Sequence, residues 1–391
     1  MGLASEEAYE KKILDRVSDK LVDGIASVIS KVRPGWREKN KSKIDEWKLM
    51  FYAFNRSPPG IIGATLIIAF ILIGLFGPYF APYSYRNFLY IEYGDTYLVP
   101  PGTTVTVTNE QGEIVKEFYF PLGTDKYGRD LLSLILYGAR VSLIISLIVI
   151  ILGVPIGIIL GLIAGYFGGK TDEVIMRITD IFLAFPALIL AIAFASVLPD
   201  RIRPIIVGNE FLKQIFSIVF AADVRDAANF APILSVILAI VLVWWPGYTR
   251  IIRGSVLSAR ENLYVEAAKA LGVSTWKILF KHILPNIISP ILVLITLDIG
   301  SVILMEAGLS FIGLGAQDPM VDWGKIVYDG AQFFPDRWWL VIFPGFATFL
   351  AVLGWNLVGD TLRDVLDPRT RRSIEFKIKK RRSGKQWSRQ V

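Results

Sequence analysis

The 391-residue chain is 53% hydrophobic, with a mean hydropathy of +0.50, and its apolar residues gather in long runs. Its formal net charge is +7, with one histidine and no cysteine, which leaves no disulfide, zinc–thiolate site or thiol nucleophile and little material for histidine catalysis. The basic excess lies at the two ends and in one internal loop, beside apolar runs, a placement that fits a membrane surface better than nucleic acid.

In chain order, residues 1–56 carry twelve Lys/Arg and nine Asp/Glu, so no cleaved leader is expected there. Within them, Leu14, Val17, Leu21, Ile25, Val28 and Val32 recur at spacings of three and four, which predicts an amphipathic helix over 9–32. Packing on the protein's own cytoplasmic face or on the membrane, and recruitment of a partner, are both open to it. A spanning helix needs roughly 17–25 mostly apolar residues. Six segments qualify: 61–82, 133–164, 174–198, 230–249, 286–306 and 339–358. The second exceeds one span, so its first part is expected along the outer surface, with Arg140 at the interface. Residues 103–120 alternate as Thr-Val-Thr-Val-Thr, break at Asn109-Glu110-Gln111-Gly112 and resume, predicting a β-hairpin. It could dock an external protein or be passive decoration.

Loop charge sets the orientation. Residues 1–56, the loop 250–283 and the tail after Leu362 are basic and fall inside, whereas 83–132 and 307–338 carry more acid and fall outside. The expected fold class is therefore an all-α membrane protein with six transmembrane helices. Its divisions are a cytoplasmic region 1–56, a first span 57–82, an extracytoplasmic insertion 83–132, a core 133–362 holding a cytoplasmic loop 250–285, and a basic tail 363–391.

The stretch 262–290 reads as two short helices joined by a bend. Tyr264, Ala267, Ala268 and Leu271 share one side of the first, Gly272 suits the left-handed position that ends it, and Ser274 is a plausible N-cap for the second. Pro285 marks the start of the next span. Small Ala267 and Ala268 would allow another surface close, and Glu266 offers it a charge, so the loop reads as a docking site. Within the spans, Asp298 and Glu306 are candidates for a translocation path, because a charge in lipid costs about 2.5–3.5 kcal/mol on insertion scales. For Asp298 a structural hydrogen bond to a neighbouring helix is the alternative. Asp180, one turn from Arg177, reads as a structural partner, and Trp323, Trp338 and Trp339 as interfacial anchors. Gly165-Tyr-Phe-Gly-Gly-Lys170-Thr171 misses the P-loop spacing and follows a membrane helix, so it reads as a glycine-hinged turn.

Glu266-Ala267-Ala268, three residues, Gly272, then Leu284-Pro285 resembles the EAA loop of ATP-binding-cassette (ABC) transporter permeases. His282 stands where the general pattern has an aliphatic residue, and His282-Ile283-Leu284-Pro285-Asn286 resembles the dipeptide/oligopeptide/nickel family in particular. Phe54–Pro58, Phe76–Tyr83, Pro121–Asp125 with Gly128-Arg129-Asp130, Gly165–Gly169, Asp180 with Phe185-Pro186, and Glu306–Gly315 extend the likeness to its C-type permease subunit over roughly 51–368. Phe120 replaces that family's usual histidine, which argues against a metal there. The resemblance implies the type I ABC importer permease (MetI-like) fold. It implies a homologous second permease subunit, two cytoplasmic ABC ATPase subunits, an extracytoplasmic substrate-binding protein, and no cofactor or bond chemistry in this chain. Glu266, Ala267, Ala268, Gly272, His282 and Pro285 would form the ATPase-coupling loop. The cargo would be dipeptides or oligopeptides, or else oligosaccharides or nickel chelates, moved by alternating access in the cell membrane.

Two readings of other classes compete. A self-sufficient secondary transporter or channel needs its own coupling carboxylates and usually inverted repeats, of which none is evident. A membrane enzyme needs a catalytic cluster, which is also missing.

Overall fold

The computed structural model describes residues 13–93, 96–108 and 113–366. In chain order the helices are α1 (Ile13–Val32), α2 (Trp36–Lys39), α3 (Lys41–Phe54), α4 (Pro58–Phe80) and α5 (Leu89–Tyr93). Strands β1 (Thr103–Thr108) and β2 (Ile114–Phe120) come next, then α6 (Leu131–Phe167), α7 (Gly169–Leu183), α8 (Ala187–Val207), α9 (Glu210–Phe220) and α10 (Phe230–Arg260). The chain continues through α11 (Leu263–Ala270), α12 (Thr275–Lys277), a π turn (Ile278–Ile283), α13 (Leu284–Phe311), α14 (Trp323–Ala331) and α15 (Trp339–Leu366).

Five helical runs are long and apolar enough to cross a membrane, or up to six if α7 and α8 form one span. That pair is bent by 85°. The expected third span, 174–198, is thus not a straight helix. Pro186 has no N–H to continue the ladder and disfavours the helical conformation at Phe185, so the chain turns where the apolar run continues. The long second run is one unbroken helix of 37 residues, about 55 Å at 1.5 Å per residue. Arg140 on it donates to the carbonyls of Leu75, Ile218 and Val219, two of them in the last turn of α9.

The chain forms two units. One comprises 1–65, 292–297 and 354–391, of which the described part holds α1–α3, the first turns of α4, the middle of α13 and the end of α15. In it α1 packs on α3 through Val22, Ala26 and Ile44, with Trp36 and Trp47 against them. Arg56 and Asn55 both reach Asp15 of α1, and Lys48 and Arg37 reach Asp23. The face that packs is Asp15, Ser18, Val22 and Ala26, and the expected apolar set Leu14, Val17, Leu21, Ile25, Val28 and Val32 faces outward. Among the described residues of this unit, that set makes no buried packing face. Near the start of α4, Gly60 faces Thr361 and Gly63 faces Gly354 and Leu357, so backbones meet where a side chain would collide.

The other unit holds most of the apolar helices. Its centre is the pair α6 and α10. Gly153, Gly157, Gly161 and Gly165 recur every four residues along one face of α6. A Cβ on Gly161 would stand 2.7 Å from Ile252 Cβ and 2.8 Å from the Thr249 carbonyl, and one on Gly165 2.7 Å from Val256 Cβ. The stripe lets α10 lie against the backbone of α6, the close-approach packing that membrane helices use in place of a hydrophobic drive.

The hairpin forms as expected. β1 and β2 pair antiparallel from Thr103 with Phe120, with an irregularity at Val107/Thr108. Phe118 and Phe120 pack on Leu89 and Val99, and Tyr83 bonds to the backbone of Tyr119 at 3.1 and 3.2 Å. The turn 109–112 and the tail beyond Leu366 lie outside the described residues, as does the start of the 9–32 helix. Trp323 and Trp339 are both buried, which corrects their reading as interfacial anchors. Trp323 opens α14, donates to the Ile135 carbonyl at 3.0 Å and packs at a tilt against Phe70, and Gly138 leaves room for its ring. Trp338 alone of the three is exposed.

Candidate functional site

At the end of the helices where α6 stops and α10 runs out, four cations hold the turns together. Arg250 meets Asp180 at 2.6 Å, Arg253 grips Asp172 with two nitrogens, Arg260 donates to the Gly165 carbonyl at 3.0 Å, and Lys269 lies over the Tyr166 ring. Asp180 is indeed an ion-pair partner, but its cation is Arg250 and not Arg177, which faces Glu173 instead. Helical spacing suggested the near neighbour, and the α7–α10 contact supplied a closer one. Gly168 and Gly169 have φ of 65° and 53°, the hinge that lets α7 leave α6.

Beyond these pairs α11 stands out from the helices. Leu263 and Leu271 are each 82% exposed, and Tyr264, Glu266, Ala267, Trp276 and Phe280 are exposed as well. Val265 and Ala268 turn inward. Ala267 therefore lies on the open face and Ala268 does not, so Tyr264, Ala267, Ala268 and Leu271 do not share one side. Gly272 ends α11 at φ 70° as expected, and the Val273 N–H returns to the Ala268 carbonyl. Ser274 sits at the N-cap of α12 without a side-chain cap bond.

Pro285 does not begin a separate span. Residues 275–311 form one helical run, in which the π turn Ile278–Ile283 precedes Pro285. A proline removes one ladder bond and pushes its ring at the carbonyl four residues back, and a widened turn relieves both. The loop's second helix and the fifth span are thereby one rod. His282 is half-buried in the π turn, and its carbonyl accepts from Asn286 at 2.6 Å.

Deeper along this rod, Asp298 is half-buried and accepts from Trp244 Nε1 of α10 at 3.1 Å. The buried Tyr248 hydroxyl meets no partner in hydrogen-bond geometry among the described residues. Glu306 is fully buried, bonded to Ser142 of α6 at 3.0 Å and reached by Ser310, which also donates to Asp322 at 2.9 Å. It lines no open passage in this conformation. Asp322, outside the spans, has its carboxyl raised by burial, against which the N–H groups of Lys325 and Ala316 and the Ser310 hydroxyl act.

At the opposite end of α6, three cations and three carboxylates interlock. Arg129, buried, pairs with Asp125 at 2.7 Å and Asp318 at 3.2 Å; Lys325 pairs with Asp329 at 2.7 Å and Asp318 at 3.3 Å; Lys126 pairs with Asp329 at 2.9 Å. The glycines and serines of α6 and this network escaped the sequence reading. The four-residue glycine period was visible there, whereas the pairing of 125–129 with 318–329 was not.

Residues 157–372 match the family described as the binding-protein-dependent transport system inner membrane component. The chain belongs to that family. Residues 46–101 match the N-terminal TM domain of oligopeptide transport permease C. The chain is similar to the dipeptide transport system permease protein DppC of Alkalihalophilus pseudofirmus, 36% identical over 85% of this chain and 93% of the relative. It is 33% identical to the oligopeptide transport system permease protein OppC of Bacillus subtilis, over 85% of this chain and 93% of the relative. It is also 33% identical to the glutathione transport system permease protein GsiD of Pectobacterium atrosepticum, over 85% and 94%. The family is a multi-pass membrane component of binding-protein-dependent transport, and the C-type resemblance is thereby shown.

Proposed function

We propose that this chain is the membrane-spanning permease of an ATP-driven peptide importer, working by alternating access and performing no bond chemistry. The relatives' names, which specify dipeptide, oligopeptide and glutathione transport, support peptides as cargo. Counting α7 and α8 as one bent span gives six, which would put both termini on one side, and loop charge supports the cytoplasm as that side. The fold is then of type I, with 1–56 and 363–391 inside and the hairpin insertion 83–132 outside. A second, homologous permease, two cytoplasmic ATPases and an external binding protein complete the importer.

The observation that carries this reading is α11. A helix that leaves Leu263 and Leu271 almost fully in solvent, beside Tyr264 and Trp276, has an apolar face with no partner among the described residues. Glu266 and Ala267 lie on that open side, and the basic loop around them suits a cytoplasmic protein surface. An ATPase seated there moves α11, and the Gly272 turn passes the movement to the rod 275–311. His282 and Pro285 act within that rod, at its π turn, and Ala268 acts from beneath by seating α11. Asp298 offers the polar lining of the path on the same rod, while Glu306 fastens α13 to α6.

The chain has no cysteine, so Ala267→Cys introduces a single thiol. In membranes holding the assembled importer, a short bifunctional reagent is expected to join Ala267→Cys to the ATPase subunit, and to lose that product when vanadate traps the ATPase. Absence of any ATPase adduct from Ala267→Cys and Leu271→Cys, in importers that still transport, overturns the coupling role.

A further inference from the structure

The outward face of α1 poses a separate question. Ile13, Leu14, Val17, Leu21, Ile25, Val28 and Val32 are all about half exposed or more, and by helical geometry they fill an arc of about 120°. Charge is sorted around that arc. Asp15 and Asp23 point toward α3 and its flanks, where Arg56, Asn55, Arg37 and Lys48 hold them. Arg16, Lys20 and Lys31 are exposed and border one edge of the apolar arc. Two of the three acids of α1, Asp15 and Asp23, are thus held within the protein and Asp19 is half-buried, and the surface that α1 presents is apolar with a cationic margin.

Position adds a second constraint. α3 ends at Phe54, and the first membrane span starts at Pro58. Asp15 is tied to Asn55 and Arg56, in the three-residue joint between them, so the start of α1 is fastened where the chain enters the bilayer.

We propose that α1 is an interfacial helix lying in the headgroup region of an anionic membrane leaflet, its apolar arc in the acyl boundary and Arg16, Lys20 and Lys31 on phosphates. The occupant of the face is lipid. An apolar arc edged by basic residues, on a helix of low net hydrophobicity, is the pattern that seats a helix in the interface plane. Anionic lipid attracts juxtamembrane cations. The joint at 55–57 keeps the helix there without a further anchor. In that position α1–α3 is a collar that fixes the cytoplasmic entry of α4, whatever cargo the importer carries.

The natural absence of cysteine allows a direct test on the full chain. Single cysteines at Leu21 and Val28, and at exposed Lys43 on α3 as a control, carry nitroxide labels in nanodiscs of phosphatidylcholine with phosphatidylglycerol. Labels at 21 and 28 are expected to collide with oxygen and to lose access to an aqueous nickel chelate, while the label at 43 keeps it. Reversing Arg16, Lys20 and Lys31 to glutamate is expected to restore nickel access at 21 and 28. Labels open to nickel in the unreversed chain mean that the face stays in water and overturn the proposal. Labels shielded from both reagents mean that a protein covers the face, and this also overturns it. Unchanged burial after charge reversal overturns the role of the three cations.

Discussion

Trp244 and Asp298 meet side chain to side chain, indole nitrogen to carboxylate at 3.1 Å, joining α10 to the helical rod that begins beside the loop helix α11. The contact links the two parts of the molecule that the importer account needs to move together. α10 ends next to α11, and α13 continues from its far side.

Asp298→Asn keeps an acceptor for Trp244 and removes only the charge. If Asp298 serves the path through its charge, the variant in an assembled importer should lower peptide uptake although the bond from Trp244 is kept. Uptake equal to the unsubstituted importer, at equal assembly, reduces Asp298 to a structural acceptor.

The glycine face of α6 predicts a graded series. A Cβ at Gly153 would make only ordinary contacts, the nearest with Trp244 Cβ at 3.6 Å, whereas a Cβ at Gly161 or Gly165 would sit 2.7 Å from α10. Gly153→Ala should leave the melting temperature of the purified chain unchanged. Gly161→Ala and Gly165→Ala should each lower it, as a stability loss of about 1–3 kcal/mol typical of overpacking would. Equal effects at all three positions would contradict the packing described.

Arg129 is the pivot of the charged network opposite the loop. Breaking a buried ion pair by removing one partner costs about 3–5 kcal/mol. Arg129→Met should therefore destabilise the fold far more than Lys126→Met, whose side chain is partly exposed. Thermal unfolding of the two variants in one detergent decides it.

The same network carries a pH signature. Burial disfavours the Lys126 ammonium, but the bond to Asp329 and the charges of Asp329, Tyr127 and Asp318 outweigh it and raise the group above its ordinary 10.5. A raised folded value means that the contribution is fully present below 10.5 and is lost as pH rises through the folded value. The alkaline limb of the stability profile should thus flatten in Lys126→Met. An unchanged limb would show that Lys126 does not titrate with unfolding.

Run length and loop charge sufficed to place the apolar segments, because a bilayer imposes both. They could not reveal the bend at Phe185-Pro186, since hydropathy records how long an apolar run is and not where its axis turns. The α1 spacing revealed an apolar arc, but its side was chosen by contacts at Asn55 and Arg56, some 40 residues away in sequence. Asp180 and Arg250 are separated by 70 positions, and such pairs leave no local trace. The EAA loop was legible as residues; which of them face outward was not, and Ala268 turned inward where Ala267 did not.

As the permease of the proposed importer, this chain is a conduit driven by its partners. Purified and reconstituted alone into proteoliposomes, it should neither hydrolyse ATP nor accumulate labelled dipeptide. Adding the second permease, the ATPases and the binding protein should produce ATP-dependent uptake that Glu266→Lys reduces. Peptide accumulation by the chain alone would contradict the account.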